Sequence, residues 1–225
     1  MYISHQYKLI FLRSPKTASS SLSEWFIKNI PDTTAIYTPV EDSKIHGTLQ
    51  PSIIGKYKRN FKYYHFTIQD LVRENIITEH QAKTYRVISV LREPIDRQKS
   101  LFYFYARWKC KGKTLDLKQY KVLAPNGQFI GEPNSAIKQT DLLTLNGEII
   151  GEFWLYENIE HHITNIIKEL KIKEVHVLPN HKNGFRKNRN NEIVFDDYCL
   201  EQLNTIFKKD FEIYNALKEK SHVSN

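Results

Sequence analysis

Between Leu9 and Ile30 the chain spells out a strand, a turn and a helix in direct succession. Leu9-Ile10-Phe11-Leu12 is an apolar run of strand length, ended by Arg13. Leu22, Trp25, Phe26 and Ile30 then recur at three- and four-residue spacing, the pattern of one buried helix face. The intervening turn holds small and polar residues around Lys16, and no glycine occurs from Met1 to His46. A helix start presents unpaired backbone N–H groups and the positive end of its dipole, so with Lys16 beside it this turn suits a phosphate or sulfate. The same letters also describe an ordinary strand-turn-helix whose Ser and Thr residues cap the helix. A Walker A loop is excluded, because it needs a glycine, four further residues and then Gly-Lys-Ser/Thr. Ordinary nucleoside-triphosphate hydrolysis is disfavoured accordingly.

A second junction of the same kind lies further on. Arg86-Val87-Ile88-Ser89-Val90-Leu91 is rich in β-branched residues and apolar on both faces, which predicts a central strand beside the first. Arg92-Glu93-Pro94 follows, with proline suited to a first helical turn, and a helix is predicted over 95–107 with Arg97, Ser100 and Phe104 on one face. Two cation-bearing strand-to-helix junctions predict an α/β fold: a single domain over 1–225, a mostly parallel central sheet flanked by helices, and a ligand at the carboxyl ends of the strands.

The remaining segments fill in that frame. Thr34 to Tyr37 reads as a short strand, and 38–62, rich in Pro, Gly and charge, as a loop containing Glu41 and His46. Thr67 with Asp70, and Thr78 with Gln81, are spaced as capping residues at the starts of two short helices, the first over 68–75. Pattern is weakest over 109–151, a possible acceptor-side insertion, where Asn146-Gly147 marks a hairpin within 142–150. Phe153 to Tyr156 reads as a buried strand, followed by a helix to about Leu170 that turns Ile159, Ile163, Ile166, Ile167 and Leu170 inward. A basic loop, Asn180 to Arg189, precedes a last helical region over 196–218.

Composition narrows the partners. A net charge of +8 and a pI near 9.3 favour polyanions, whether nucleic acid, anionic polysaccharide or a multiply phosphorylated nucleotide. Cys110 and Cys199 set no metal-ligand spacing and no disulfide framework. Neither a secretory leader nor a membrane-length apolar run is present, which reads as a cytoplasmic chain.

The run Pro15-Lys16-Thr17-Ala18-Ser19-Ser20-Ser21 resembles the 5′-phosphosulfate loop of sulfotransferases that use 3′-phosphoadenosine 5′-phosphosulfate (PAPS). It is especially similar to the Pro-Lys-Thr-Ala-Ser-Thr-Ser form of the carbohydrate enzymes related to heparan sulfate 2-O-sulfotransferase. Arg92-Glu93-Pro94-Ile95-Asp96-Arg97-Gln98-Lys99-Ser100 resembles that family's 3′-phosphate segment, Arg-x-Pro-x-x-Arg-x-x-Ser. The resemblance implies the P-loop-like fold of that family, PAPS as co-substrate without a metal, and a hydroxyl acceptor, with carbohydrate favoured. It carries the 5′-phosphate to Lys16 and the residues around it and the 3′-phosphate to Arg92 and Ser100, with Arg97 as the intervening arginine. A basic loop folds over the nucleotide in the family, which implies Lys182, Arg186 and Lys187.

Sulfuryl transfer needs charge neutralised on the departing oxygen, a role for Lys16, and a base for the acceptor hydroxyl. Histidine suits neutral pH. His65, in Tyr64-His65-Phe66-Thr67, lies where the carbohydrate branch carries its catalytic histidine, with His46 as runner-up and Glu93 or Glu41 as carboxylate alternatives. Two other classes fit parts of the sequence: a basic nucleic-acid-binding protein without catalysis, and a nucleotide kinase with a degenerate phosphate loop.

Overall fold

Strands β1 (Tyr2–Ser4) and β2 (Leu9–Leu12) pair antiparallel, Tyr2 opposite Phe11, across a turn in which Lys8 takes a φ of 48°. The computed structural model describes residues 1–30, 32, 35–37, 65–109, 137–179 and 194–223. They belong to two compact units, Met1–Leu91 with Gln139–His181, and Arg92–Lys138 with Lys182–Asn225.

The first unit is a sheet with helices. After β2 come helix α1 (Ser19–Asn29), strand β3 (Ile36–Tyr37), helices α2 (Ile68–Arg73) and α3 (Glu79–Thr84), and strand β4 (Arg86–Leu91). A 3₁₀ turn at Thr140–Leu143 leads into the hairpin β5 (Thr144–Leu145) and β6 (Glu148–Ile149), then strand β7 (Glu152–Leu155) and helix α5 (Ile159–Glu169). The sheet order is β3-β1-β2-β4-β7. β2, β4 and β7 are parallel, whereas β1 and β3 extend the sheet antiparallel. Leu12 lies opposite Ser89, so β2 and β4 end at the same edge.

Alternation along the strands divides the core. Tyr2, Leu9, Phe11, Ile88, Val90 and Trp154 face one side and pack with Leu22, Trp25 and Phe26 of α1 and Ile159, Ile163 and Ile166 of α5. Each such large side chain, taken from water, stabilises the fold by about 1.5–3 kcal/mol. Phe26 stacks on Phe11 at 4.8 Å and on Tyr2 at 5.7 Å, while the Tyr2 hydroxyl donates to the Ile30 carbonyl and ties down the end of α1. Burial pushes the Tyr2 phenol above its ordinary range. On the opposite face the Thr140–Leu143 turn packs on β4, burying Leu142 and Leu143.

The hairpin forms at the Asn146-Gly147 turn, both with positive φ (51° and 89°), and is fastened to α2 by Asn146 N–H donating to Gln69 Oε1 at 3.0 Å. Beyond it Gly151 presses against Val87 at the beginning of β4, where an added Cβ would lie 2.5 Å from the Val87 carbonyl oxygen. The expected helix over 68–75 stops at Arg73, because Asn75 turns left-handed with a φ of 55°.

The second unit carries helices α4 (Pro94–Lys109), α6 (Asp197–Ile206) and α7 (Lys208–Val223). Phe102, Tyr103, Phe195, Cys199, Leu203 and Phe207 form its core. The single helical region expected over 196–218 is two helices, parted at Phe207, whose backbone N–H closes the last turn of α6 on the Leu203 carbonyl.

Candidate active site

The opening of α1 contrasts with those of α2, α3 and α6. α2 and α3 open on complete capping boxes, Thr67 with Asp70 and Thr78 with Gln81, and Asp196 accepts from the Cys199 N–H at the start of α6. α1 opens differently. Its N-cap is Ala18, which has no side-chain acceptor to offer, and its first turn contains no acidic residue. No side chain at the N-cap competes for that turn, and no carboxylate within it counters the local dipole.

The loop before α1 is folded by non-glycine residues in the left-handed region, Lys16 at φ 63° and Ala18 at 56°. Such conformations cost on the order of 1–3 kcal/mol each and persist only where neighbours enforce them. Here the neighbours are specific. The fully buried Thr17 donates from Oγ1 to the Ser14 carbonyl at 2.9 Å, closing the turn on itself. Ser14, also fully buried, places its hydroxyl 3.5 Å from Oε1 of Gln139. Arg13, 7% exposed, donates from Nη2 to the Ser20 hydroxyl at 2.9 Å, which holds a guanidinium beside the first turn of α1. Left-handed residues alternating with others gather backbone N–H groups into an anion-binding concavity. With Lys16 half-buried in the loop and Arg13 behind it, the site has the donors and charge for a phosphate or sulfate group.

His65 belongs to the same loop in space. Its Nδ1 lies 2.8 Å from the carbonyl oxygen of Arg13, the residue that follows β2. A carbonyl oxygen only accepts, so the proton resides on Nδ1 and Nε2 is the basic nitrogen of the neutral ring. The end of β2 is itself held, since the Ser89 hydroxyl donates to the Leu12 carbonyl at 3.0 Å. Glu93, the carboxylate alternative, is engaged otherwise: its two oxygens accept from the backbone N–H groups of Ile95 (3.0 Å) and Asp96 (2.5 Å), capping α4.

In the second unit, Arg92 directly follows β4 in the chain and donates from Nε and Nη2 to a single oxygen of Asp96, both at 2.5 Å. Arg97, expected among the nucleotide-binding residues, is fully buried with its guanidinium carbon 4.9 Å above the Phe207 ring centroid. Ser100 is half-buried on α4. Lys182, Arg186, Lys187, His46 and Glu41 lie outside the described residues.

A family model described as "Sulfotransferase family" matches residues 1–215, across both units. The chain belongs to the sulfotransferase family. No curated protein and no solved structure matches it. As a sulfotransferase it is a sulfuryl-transfer enzyme, and its fold is the α/β arrangement, with a parallel sheet centre and flanking helices, expected from the sequence. Among the described residues no helix is long and apolar enough to cross a membrane. Sequence reasoning passed over three residues that hold this sulfotransferase's loop. Arg13 stands directly before the motif and carried a signal, an arginine placed at the end of a buried strand. Gln139 and Ser89 carried none, because their partners are remote in the chain.

Proposed function

We propose that this sulfotransferase moves a sulfuryl group from PAPS to a carbohydrate hydroxyl, with His65 as the base. The observation that supports it most is that one loop brings together an uncapped, cation-flanked helix start and a histidine whose Nδ1–H is pinned to the Arg13 carbonyl. The donor set fits the group: backbone N–H groups of Thr17 to Ser21 with the serine hydroxyls, two cations, and no carboxylate in the first turn.

PAPS, when bound, supplies a sulfuryl group whose bond to the 5′-phosphate breaks as the acceptor oxygen bonds to sulfur. Nε2 of His65 receives the acceptor's proton. Lys16 and the loop donors hold the charge that grows on the 5′-phosphate oxygen, an interaction stronger in the transition state than before it. Arg92 and Ser100 hold the 3′-phosphate, and Arg97, set on Phe207, steadies the helix that carries Ser100. Lys182, Arg186 and Lys187 are assigned to the nucleotide through the family resemblance.

The experiment is transfer of labelled sulfate from PAPS to a panel of polysaccharides, lipids, small metabolites and tyrosine peptides. The reading expects label on a polysaccharide hydroxyl, and Lys16→Ala should weaken both PAPS binding and turnover. Label on a tyrosine or lipid would reassign the acceptor, and a Lys16→Ala enzyme with normal turnover would remove the role given to the loop.

A further inference from the structure

The 3′-phosphate pattern Arg-x-Pro-x-x-Arg-x-x-Ser assigns work to its named positions and none to the intervening ones. In this chain those gaps hold Glu93 and Asp96, and both are structurally engaged. Glu93 receives the backbone N–H groups of Ile95 and Asp96 and thereby fixes the first turn of α4. Asp96 stands in that turn, and its Oδ2 receives both Nε–H and an Nη2–H of Arg92. Arg92 precedes the helix, so its long side chain is not positioned by helical packing of its own. It is nonetheless only 8% exposed, while the Asp96 side chain is 34% exposed.

We propose that Asp96 is the positioning residue for the 3′-phosphate: it holds the Arg92 guanidinium in its binding orientation before the nucleotide arrives. The inference rests on the reading of Arg92 as a 3′-phosphate ligand. A guanidinium has five N–H donors, and this contact engages two of them. Fixing a long side chain in advance removes an ordering cost that binding would otherwise meet. The carboxylate also carries a negative charge near an incoming anion, which works in the opposite direction. The proposal states that orientation outweighs that repulsion. The two contributions separate by substitution, because asparagine retains an acceptor oxygen at the same place and lacks the charge, whereas alanine lacks both.

The test is calorimetric binding of 3′-phosphoadenosine 5′-phosphate (PAP) and AMP to the full chain and its Asp96→Ala, Asp96→Asn and Arg92→Ala variants. Asp96→Ala should weaken PAP by roughly 3- to 10-fold, the range set by immobilising one rotamer-rich side chain, and change AMP by less than about twofold. Asp96→Asn should bind PAP at least as tightly as the parent. Equal losses for PAP and AMP in Asp96→Ala would show a general structural role and overturn the proposal. Tighter PAP binding by Asp96→Ala would make the carboxylate only a competing anion, with the same consequence. Arg92→Ala shows which reading has failed. If it loses discrimination between PAP and AMP while Asp96→Ala does not, the role of Asp96 alone is overturned; if it keeps discrimination, the assignment of Arg92 falls as well.

Discussion

Replacing His65 should separate the chemistry of this enzyme from its binding and its stability. The ring donates from Nδ1 to the Arg13 carbonyl at 2.8 Å, and Nε2 is the proposed base. His65→Ala removes both. Loss of a general base lowers turnover by about 10²–10⁴, or about 2.7–5.4 kcal/mol of barrier at 1.36 kcal/mol per decade. Loss of the hydrogen bond to a part-buried carbonyl costs about 0.5–1.5 kcal/mol of stability. For a chain of this size that lowers the melting temperature by roughly 1–6 °C. His65→Asn distinguishes the two, because the asparagine amide N–H can reach the Arg13 carbonyl as Nδ1–H does, but supplies no base. Its melting temperature should return to within about 2 °C of the parent while turnover stays at the alanine level. The assay is steady-state sulfate transfer beside calorimetric PAP affinity, which should remain within about twofold in both variants, as expected where only a transition-state interaction is lost. An asparagine enzyme with near-parental turnover would refute the assignment. So would a loss of PAP affinity that accounts for the whole loss of turnover.

Two further outcomes concern the scaffold and its pH dependence. Gly151→Ala places a methyl 2.5 Å from the Val87 carbonyl oxygen at the start of β4, so stability to urea should fall by about 1–3 kcal/mol; an unchanged midpoint would mean that the contact relaxes freely. His162 stacks on Trp154 at 5.2 Å, and its burial, reinforced by His161 and Arg86 and opposed by Glu152, holds its pKa below the ordinary imidazole range. Above about pH 6.5, the unfolded value, both states are neutral; below it the unfolded chain takes up a proton that the native ring resists, so stability declines with falling pH. His162→Phe should flatten melting temperature against pH between about 7 and 5 relative to the parent, and parallel curves would exclude the contribution.

How much of this was legible depended on sequence distance. The strand-turn-helix of residues 9–30 was readable because its signals are local: four apolar letters, a small-residue turn, and a helix face whose Leu22, Trp25, Phe26 and Ile30 are all buried. The capping boxes at Thr67 and Thr78 and the hairpin at Asn146-Gly147 were readable for the same reason. Strand β1 was not, since three residues carry no measurable period, and its place between β2 and β3 arises from pairing. His65 was assigned from family layout. Its contact with Arg13, made across 52 positions of sequence, appears only in three dimensions, as does that of Ser14 with Gln139 across 125. For Arg97, spacing shows only its place beside Ser100, while its packing on Phe207, 110 positions further on, appears only in three dimensions. The engagement of Glu93 and Asp96 was within local reach, at three- and four-residue spacing, and was missed because the motif leaves those positions blank.

The proposed donor is a nucleotide with phosphates at both ends, the 5′-phosphate assigned by resemblance to the Lys16 loop and the 3′-phosphate to Arg92 and Ser100. The most direct measurement is the melting temperature of the full chain against increasing PAP, AMP and magnesium ATP. Ligand-linked stabilisation grows as RT ln(1 + [L]/Kd), so a hundredfold excess over Kd contributes about 2.7 kcal/mol. PAP should raise the melting temperature by several degrees at concentrations where AMP, lacking the 3′-phosphate, has little effect, and Arg92→Ala should abolish the difference. Equal stabilisation by PAP and AMP, or stabilisation by magnesium ATP alone, would contradict it.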